Sequence, residues 1–135
     1  MKKSILIPIV LLLLGCGSED VEFEGDDAPT ISTVELDPTV FPAGSGERIL
    51  HGIFLYVDPN ADLEAGVFLT RACGQGAEVG REVPFDSIDD RTTGVFVVSL
   101  AIDTDCEAGP YSGRFHAVDE RGNRSNDVDI EYVLQ

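Results

Sequence analysis

Oxygen-rich residues with the spacing of metal ligands are the strongest chemical signal in this chain. Asp58, Asn60 and Asp62 occupy alternate positions of one short turn. Carboxylate and amide oxygens at these intervals bind Ca²⁺ in the first half of an EF-hand loop. The second half of that pattern is absent, because Leu63 replaces the glycine of the sharp turn and Leu69 replaces the closing glutamate. An EF-hand is therefore excluded, and a calcium site here needs ligands from another part of the chain.

Patterns that would indicate catalysis are weaker. The two histidines, His51 and His116, are far apart in the sequence, and Gly44-Ser45-Gly46 lacks the glycine spacing of a nucleophile elbow. Paired carboxylates such as Asp103 and Asp105 could act in glycoside hydrolysis. Such an enzyme needs a long cleft, however, which a domain of about a hundred residues has little room to build. We therefore predict that the protein is not an enzyme. The alternative is a small hydrolase or an enzyme inhibitor.

Short β-strands are the elements that must position these residues. Clusters of Gly, Pro, Asp and Asn separate runs rich in β-branched and aromatic residues, and no ten-residue stretch has a helical period. In Asp127–Leu134, one face carries Val128, Ile130, Tyr132 and Leu134, and the other carries Asp127, Asp129 and Glu131. In Tyr111–Val118, the same alternation predicts that Phe115 faces inward and His116 outward. The predicted strands are Thr30–Asp37, Arg48–Val57, Gly66–Ala72, Arg81–Phe85, Gly94–Ile102, Tyr111–Val118 and Asp127–Leu134.

The segment Gly109–Asn126 resembles the last hairpin of bacterial immunoglobulin-like domains. The shared features are a Gly and Tyr before an alternating strand, and then Asp119, Gly122-Asn123 and Ser125. The resemblance implies an all-β fold, an immunoglobulin-like (fibronectin III-like) antiparallel β-sandwich of about seven strands, over residues 30–135. It differs from the antibody type, since the chain has no Trp.

In this topology, the loop after the second strand and the loop after the sixth lie at the same end of the sandwich. Oxygen ligands from both loops could therefore meet at one ion. The sequence suggests calcium as the only candidate cofactor, and the alternative is that these acidic turns merely contact solvent. The candidate ligands are Asp58, Asn60, Asp62, Asp119, Asn123 and Asp127.

The amino terminus has the features of a secretory signal peptide. Lys2 and Lys3 precede a ten-residue apolar run, Ile5–Leu14, which is followed by Gly15 and Cys16. As a helix this run would cover only about 15 Å of a hydrocarbon core of roughly 30 Å, so it cannot form a stable span. An ordinary signal peptide cut elsewhere and an uncleaved helix are the alternatives to cleavage before Cys16.

The stretch Leu13-Leu14-Gly15-Cys16 resembles the lipobox of bacterial lipoproteins. The resemblance implies that residues 1–15 are removed as a signal peptide and that Cys16 carries lipid, including palmitate. Gly17 after the cysteine implies sorting to the outer membrane of a Gram-negative bacterium. We therefore expect a cell-envelope protein that is bound to the membrane through its lipid anchor.

Acidic residues dominate the rest of the chain. Six of the nine residues from 19 to 27 are acidic, which predicts that residues 16–29 form a solvated tether. The net charge of −16 becomes −18 once Lys2 and Lys3 are removed. Nucleic acid is excluded as a partner, because proteins bind its phosphates with Lys and Arg and the negative charge of this chain repels them. The charge favours cationic partners and divalent ions, and the partner itself, an envelope protein or a polysaccharide, is not identified by the sequence.

Two of the three cysteines remain once Cys16 is assigned to lipid. With Cys16 lipidated, Cys73 and Cys106 are left in an exported and oxidising compartment, which predicts a disulfide between them. We interpret the whole chain as a lipid-anchored cell-envelope protein with a non-catalytic binding or structural module. A calcium-dependent adhesion module is the alternative.

Overall fold

The computed structural model describes residues 27–71, 77–85 and 91–135. The predicted signal peptide, most of the tether, Cys16 and Cys73 lie outside the described residues. None of the described residues belongs to a helix long and apolar enough to cross a membrane. The strands are β1 (Thr30–Asp37), β2 (Val40–Phe41), β3 (Glu47–Val57), β4 (Leu63–Arg71), β5 (Glu78–Pro84), β6 (Thr93–Asp103), β7 (Gly109–Asp119) and β8 (Val128–Leu134).

The strands form two sheets, with the orders β1-β3-β6 and β2-β8-β7-β4-β5. Neighbouring strands are antiparallel, except that β2 runs parallel to β8. This arrangement confirms the predicted all-β, immunoglobulin-like sandwich. β1 has the predicted bounds, and the other six predicted strands are present with shifted ends. The sequence did not predict β2, because two residues, Val40 and Phe41, are too short to show a period.

Aromatic rings from the two sheets meet in the core. Along β3 the even-numbered residues from Leu50 to Tyr56 are buried, whereas Leu55 and Val57 are exposed. The Phe54 ring stacks on the Phe115 ring of the opposite sheet, with centroids 5.1 Å apart. Burying a side chain of this size contributes about 1.5–3 kcal/mol, so the alternating pattern fixes which face of each strand is internal.

His116 faces away from the core, as the alternation predicts, but it is buried rather than exposed. It lies on the central strand β7, opposite Val67 of β4, and its Nδ1 is 3.5 Å from Oδ1 of Asp127. Burial lowers the pKa of His116, the charge of Arg124 lowers it further, and Asp127 opposes the shift. Sequence alternation predicts the face on which a side chain lies, but it does not predict whether neighbouring residues cover that side chain.

Candidate metal centre

The first half of the candidate centre is a tight turn after β3. The buried Asp58 carboxylate accepts backbone hydrogen bonds from Asn60 at 3.3 Å and from Asp62 at 2.8 Å. The Ala61 N–H donates to the Asp58 carbonyl, and Ala61 has a positive φ of 54°. Asp and Asn side chains favour such turns because they can replace backbone acceptors. The spacing seen in the sequence therefore builds the loop itself.

The second half is the turn after β7, which is organised by Asp119. Its Oδ1 accepts hydrogen bonds from the backbone N–H groups of Arg121 and Asn123, at 2.9 and 2.7 Å. Its Oδ2 accepts one from the Asn123 side-chain amide at 3.0 Å. Gly122 adopts a φ of 86°, which glycine allows without a steric penalty. These bonds hold the buried Asp119 carboxylate in one orientation.

The two turns bring three carboxylates together. Asp58, Asp62 and Asp119 each offer one oxygen, and these oxygens lie within 4.8 Å of one another. Asp58 and Asp119 are 0% and 1% exposed, and the Asp62 side chain is 15% exposed. Among the described residues, the buried Asp62 Oδ1 has no hydrogen-bond partner. An oxygen without a donor beside two further carboxylates is suited to bind a cation.

The electrostatics of the cluster oppose three simultaneous negative charges. The pKa of Asp62 is raised, first by burial and then by the negative charges of Asp119 and Asp58. Arg121 acts in the other direction, with its Nε 3.9 Å from Oδ2 of Asp62. A proton on Asp62 or a bound cation would relieve this repulsion.

The structure does not bring every predicted ligand to the cluster. Asp127 starts the turn into β8, where its carboxylate contacts Arg124 at 2.7 Å and Arg114 at 3.5 Å. Asn60 uses its side-chain amide to reach the Asp27 carbonyl at 3.5 Å. Asn123 contributes through its hydrogen bonds to Asp119, so it positions a carboxylate.

Sequence reasoning missed the function of Asn126, which is structural. Its Oδ1 accepts a hydrogen bond from the Ile31 N–H at 2.8 Å, and its Nδ2 donates to the Ile31 carbonyl at 2.9 Å. The side chain thus replaces a backbone partner for β1. No local signal in the sequence indicates this contact, because 95 positions separate the two residues.

The described flanks of the two cysteines lie near each other at the other end of the sandwich. Arg71, just before Cys73, and Asp103, just before Cys106, line one cavity. Cys106 packs against the core. Cys73 lies outside the described residues, and the disulfide remains a prediction.

Comparisons with known proteins give structural likenesses only. No protein-family model matches the chain, and no curated protein matches it. Among solved structures, the PKD domain of an M14-like peptidase from a Thermoplasmatales archaeon has 20% identity and a TM-score of 0.43, covering 79% of this chain and 92% of that one.

Two larger proteins show weaker likeness. A β-glucosidase from Listeria innocua has 9% identity and a TM-score of 0.38, over 78% of this chain and 16% of that one. A sporulation control protein from Bacillus subtilis has 8% identity and a TM-score of 0.36, over 80% of this chain and 49% of that one. Likeness at this level assigns neither a family nor an activity.

Proposed function

We propose that this chain is a lipid-anchored, non-catalytic binding or structural module of the bacterial cell envelope, and that it binds Ca²⁺ at its carboxylate cluster. The observation that carries the calcium proposal is the buried, unpartnered Oδ1 of Asp62 beside Asp58 and Asp119. The anchor at Cys16 rests on the sequence alone.

The separation of the carboxylate oxygens is suited to calcium. Two oxygens bound to one Ca²⁺ can lie up to about 5 Å apart, since each Ca–O distance is about 2.3–2.6 Å. The observed limit of 4.8 Å falls within this range. Ca²⁺ also tolerates irregular coordination by carboxylates, whereas Mg²⁺ demands a near-ideal octahedron and usually keeps several waters. We expect an affinity in the roughly 0.1–1 mM range of extracellular calcium modules.

The position of Asp27 supports an arrangement in which the cluster lies at the membrane-facing end. The Asp27 carbonyl contacts Asn60, and the Asp27 carboxylate is 3.9 Å from Arg121. The first described residue therefore lies beside the turns after β3 and β7. The lipidated Cys16 would precede Asp27 by 11 residues, a reach of at most about 40 Å. The opposite end, near Cys106, would then face away from the membrane.

The calcium proposal is tested by titration of the mature protein in detergent. We expect millimolar CaCl₂ to raise the melting temperature of the wild type and of Asp127→Asn, and to leave that of Asp62→Asn unchanged. The Asp127→Asn control removes a carboxylate from the same loop region that lies outside the cluster. A calcium response that survives Asp62→Asn, or that is lost in Asp127→Asn, would contradict the assignment.

The anchor is tested separately, by the intact mass of protein extracted from membranes. The wild type should begin at Cys16 and carry acyl chains, whereas Cys16→Ala should be unacylated and should leave the membrane fraction. An unacylated wild-type mass would refute the anchor and leave the calcium proposal standing.

A further inference from the structure

β6 is one of the two edge strands of the sheet β1-β3-β6. Among the described residues, no strand pairs with the side of β6 that faces away from β3. β6 and β3 pair over 11 consecutive residues with no irregularity. The run Val95–Ala101 has neither a charged residue nor a proline. Such an edge presents a regular row of backbone donors and acceptors to another chain.

The other sheet edges carry features that discourage strand addition. β1 has a register shift between Thr33 and Glu35, and the exposed Glu35 follows it. β5 contains charged residues and Pro84, and β2 is only two residues long. Charges, prolines, bulges and short strands are the usual protection of edges. β6 lacks them between Val95 and Ala101.

The face beside this edge is apolar. In the β3–β6 register Leu55 lies opposite Val95, and Ile53 lies opposite Val97. Leu55 is 49% exposed, and Val95 and Val97 are 54% and 60% exposed. Together with the exposed Val57, these residues form an apolar stripe that continues to the free edge. An added strand would extend it, because alternate side chains of that strand would lie on the same face.

Charge decides which kind of chain fits this edge. The mature protein has a net charge of −18, so a second copy approaching β6 would meet long-range repulsion. Glu35 lies opposite Ile53 and places a carboxylate beside the stripe. A segment that alternates apolar residues with Lys or Arg would bury the stripe and be attracted by the domain.

We propose that the β6 edge is a strand-addition site for an extended, basic and apolar polypeptide segment of a partner protein. Backbone hydrogen bonds to Val95–Ala101 supply the pairing, and the apolar stripe defined by Ile53, Leu55, Val57, Val95 and Val97 selects the side chains. The site is independent of the calcium centre and does not require the metal.

Two synthetic peptides of equal length test the proposal on the mature, detergent-solubilised protein. One is Lys-Val-Thr-Val-Lys-Val-Thr-Val-Lys, and the other has Glu at each Lys position. We expect the Lys peptide to bind at least about tenfold more tightly than the Glu peptide at low salt. Amide protection and NMR shift changes should concentrate in Val95–Ala101.

Matched variants distinguish the edge from non-specific attraction. Val97→Lys should weaken binding of the Lys peptide at least about tenfold, since it adds a like charge to the edge. Val40→Lys adds the same charge to the other sheet, at an exposed valine, and should change binding less than about twofold. Circular dichroism should show that both variants are folded.

Three results would overturn the proposal. The first is equal binding of the Lys and Glu peptides, and the second is protection located on β1 or β5. The third is self-association of the wild type in sedimentation that Val97→Lys abolishes, because the occupant of the edge would then be a second copy.

Discussion

The backbone N–H of Glu120 donates a hydrogen bond to the carbonyl oxygen of Asp62 at 2.9 Å. This bond joins the turn after β3 to the turn after β7, although 58 positions separate the two residues in the chain. The fold itself thereby holds the Asp62 and Asp119 carboxylates close together. A preformed cluster loses less entropy on binding an ion, but it stores repulsion when the ion is absent.

The stored repulsion predicts a pH dependence of the metal-free protein. Because the folded-state pKa of Asp62 is raised above 3.8, the folded state binds a proton more tightly than the unfolded state does. The Asp62 contribution to the free energy of unfolding should therefore increase as the pH falls from neutrality towards 3.8. Asp62→Asn should lack this contribution, and in EDTA at pH 7 it should be at least as stable as the wild type.

Urea unfolding of the wild type and of Asp62→Asn between pH 4 and 7.5 measures the difference. A difference that is constant across this range would contradict the raised pKa. With calcium present the order at pH 7 should reverse, because the metal stabilises the ionised carboxylate and its affinity falls on acidification.

The two hydrogen bonds between the Asn126 side chain and the Ile31 backbone are predicted to stabilise β1. Asn126→Ala removes the partners of the Ile31 N–H and carbonyl groups, and we expect a loss of about 1–3 kcal/mol in the free energy of unfolding. Asn126→Asp keeps the acceptor for the Ile31 N–H but places a carboxylate oxygen against the Ile31 carbonyl oxygen, so we expect it to be destabilised as well. Hydrogen exchange of the Ile31 amide gives the local measurement, and unchanged protection in Asn126→Ala would refute these two hydrogen bonds.

Gly113 is predicted to tolerate no side chain. A Cβ atom at this position would lie 2.7 Å from Cε1 of Phe68 and 2.8 Å from the Leu69 carbonyl oxygen. Gly113→Ala should therefore destabilise the protein by about 1–3 kcal/mol, since the backbone neighbour cannot move freely. Gly80→Ala is the control, because its nearest neighbour is the tip of the Leu69 side chain at 3.1 Å. The melting temperature of Gly113→Ala should be lower than that of Gly80→Ala. The reverse order would show that the residues around Gly113 move to accommodate the methyl group.

The predicted Cys73–Cys106 disulfide closes a loop of 33 positions. The chain-entropy model gives a stabilisation of roughly 3–4 kcal/mol for such a loop. Non-reducing peptide mapping should recover the two cysteines in one fragment, and reduction should lower the free energy of unfolding by that amount. Cys106→Ala should be insensitive to reductant. Two free thiols in the purified wild type would end this prediction.

Of the eight strands in the described residues, the sequence predicted seven and missed the two-residue β2. In β8, Ile130, Tyr132 and Leu134 are buried whereas Asp129, Glu131 and Val133 are exposed, and the two-residue period of a strand makes this a local property of the chain. It also predicted the turn at Asp58, because Asp and Asn in this spacing replace backbone partners within the turn itself.

Only the tertiary structure decided which oxygens meet. Asp119 and Asp127 are equally acidic in the sequence, yet Asp119 joins Asp58 in the cluster and Asp127 pairs with arginines on the outer face. The backbone hydrogen bond from Glu120 to Asp62 brings Asp119 to the cluster, and the ion pair with Arg124 holds Asp127 elsewhere. His116 likewise lies opposite Val67 of the neighbouring strand β4. The first and the last of these contacts join chain segments that are far apart in sequence, so no local pattern encodes them.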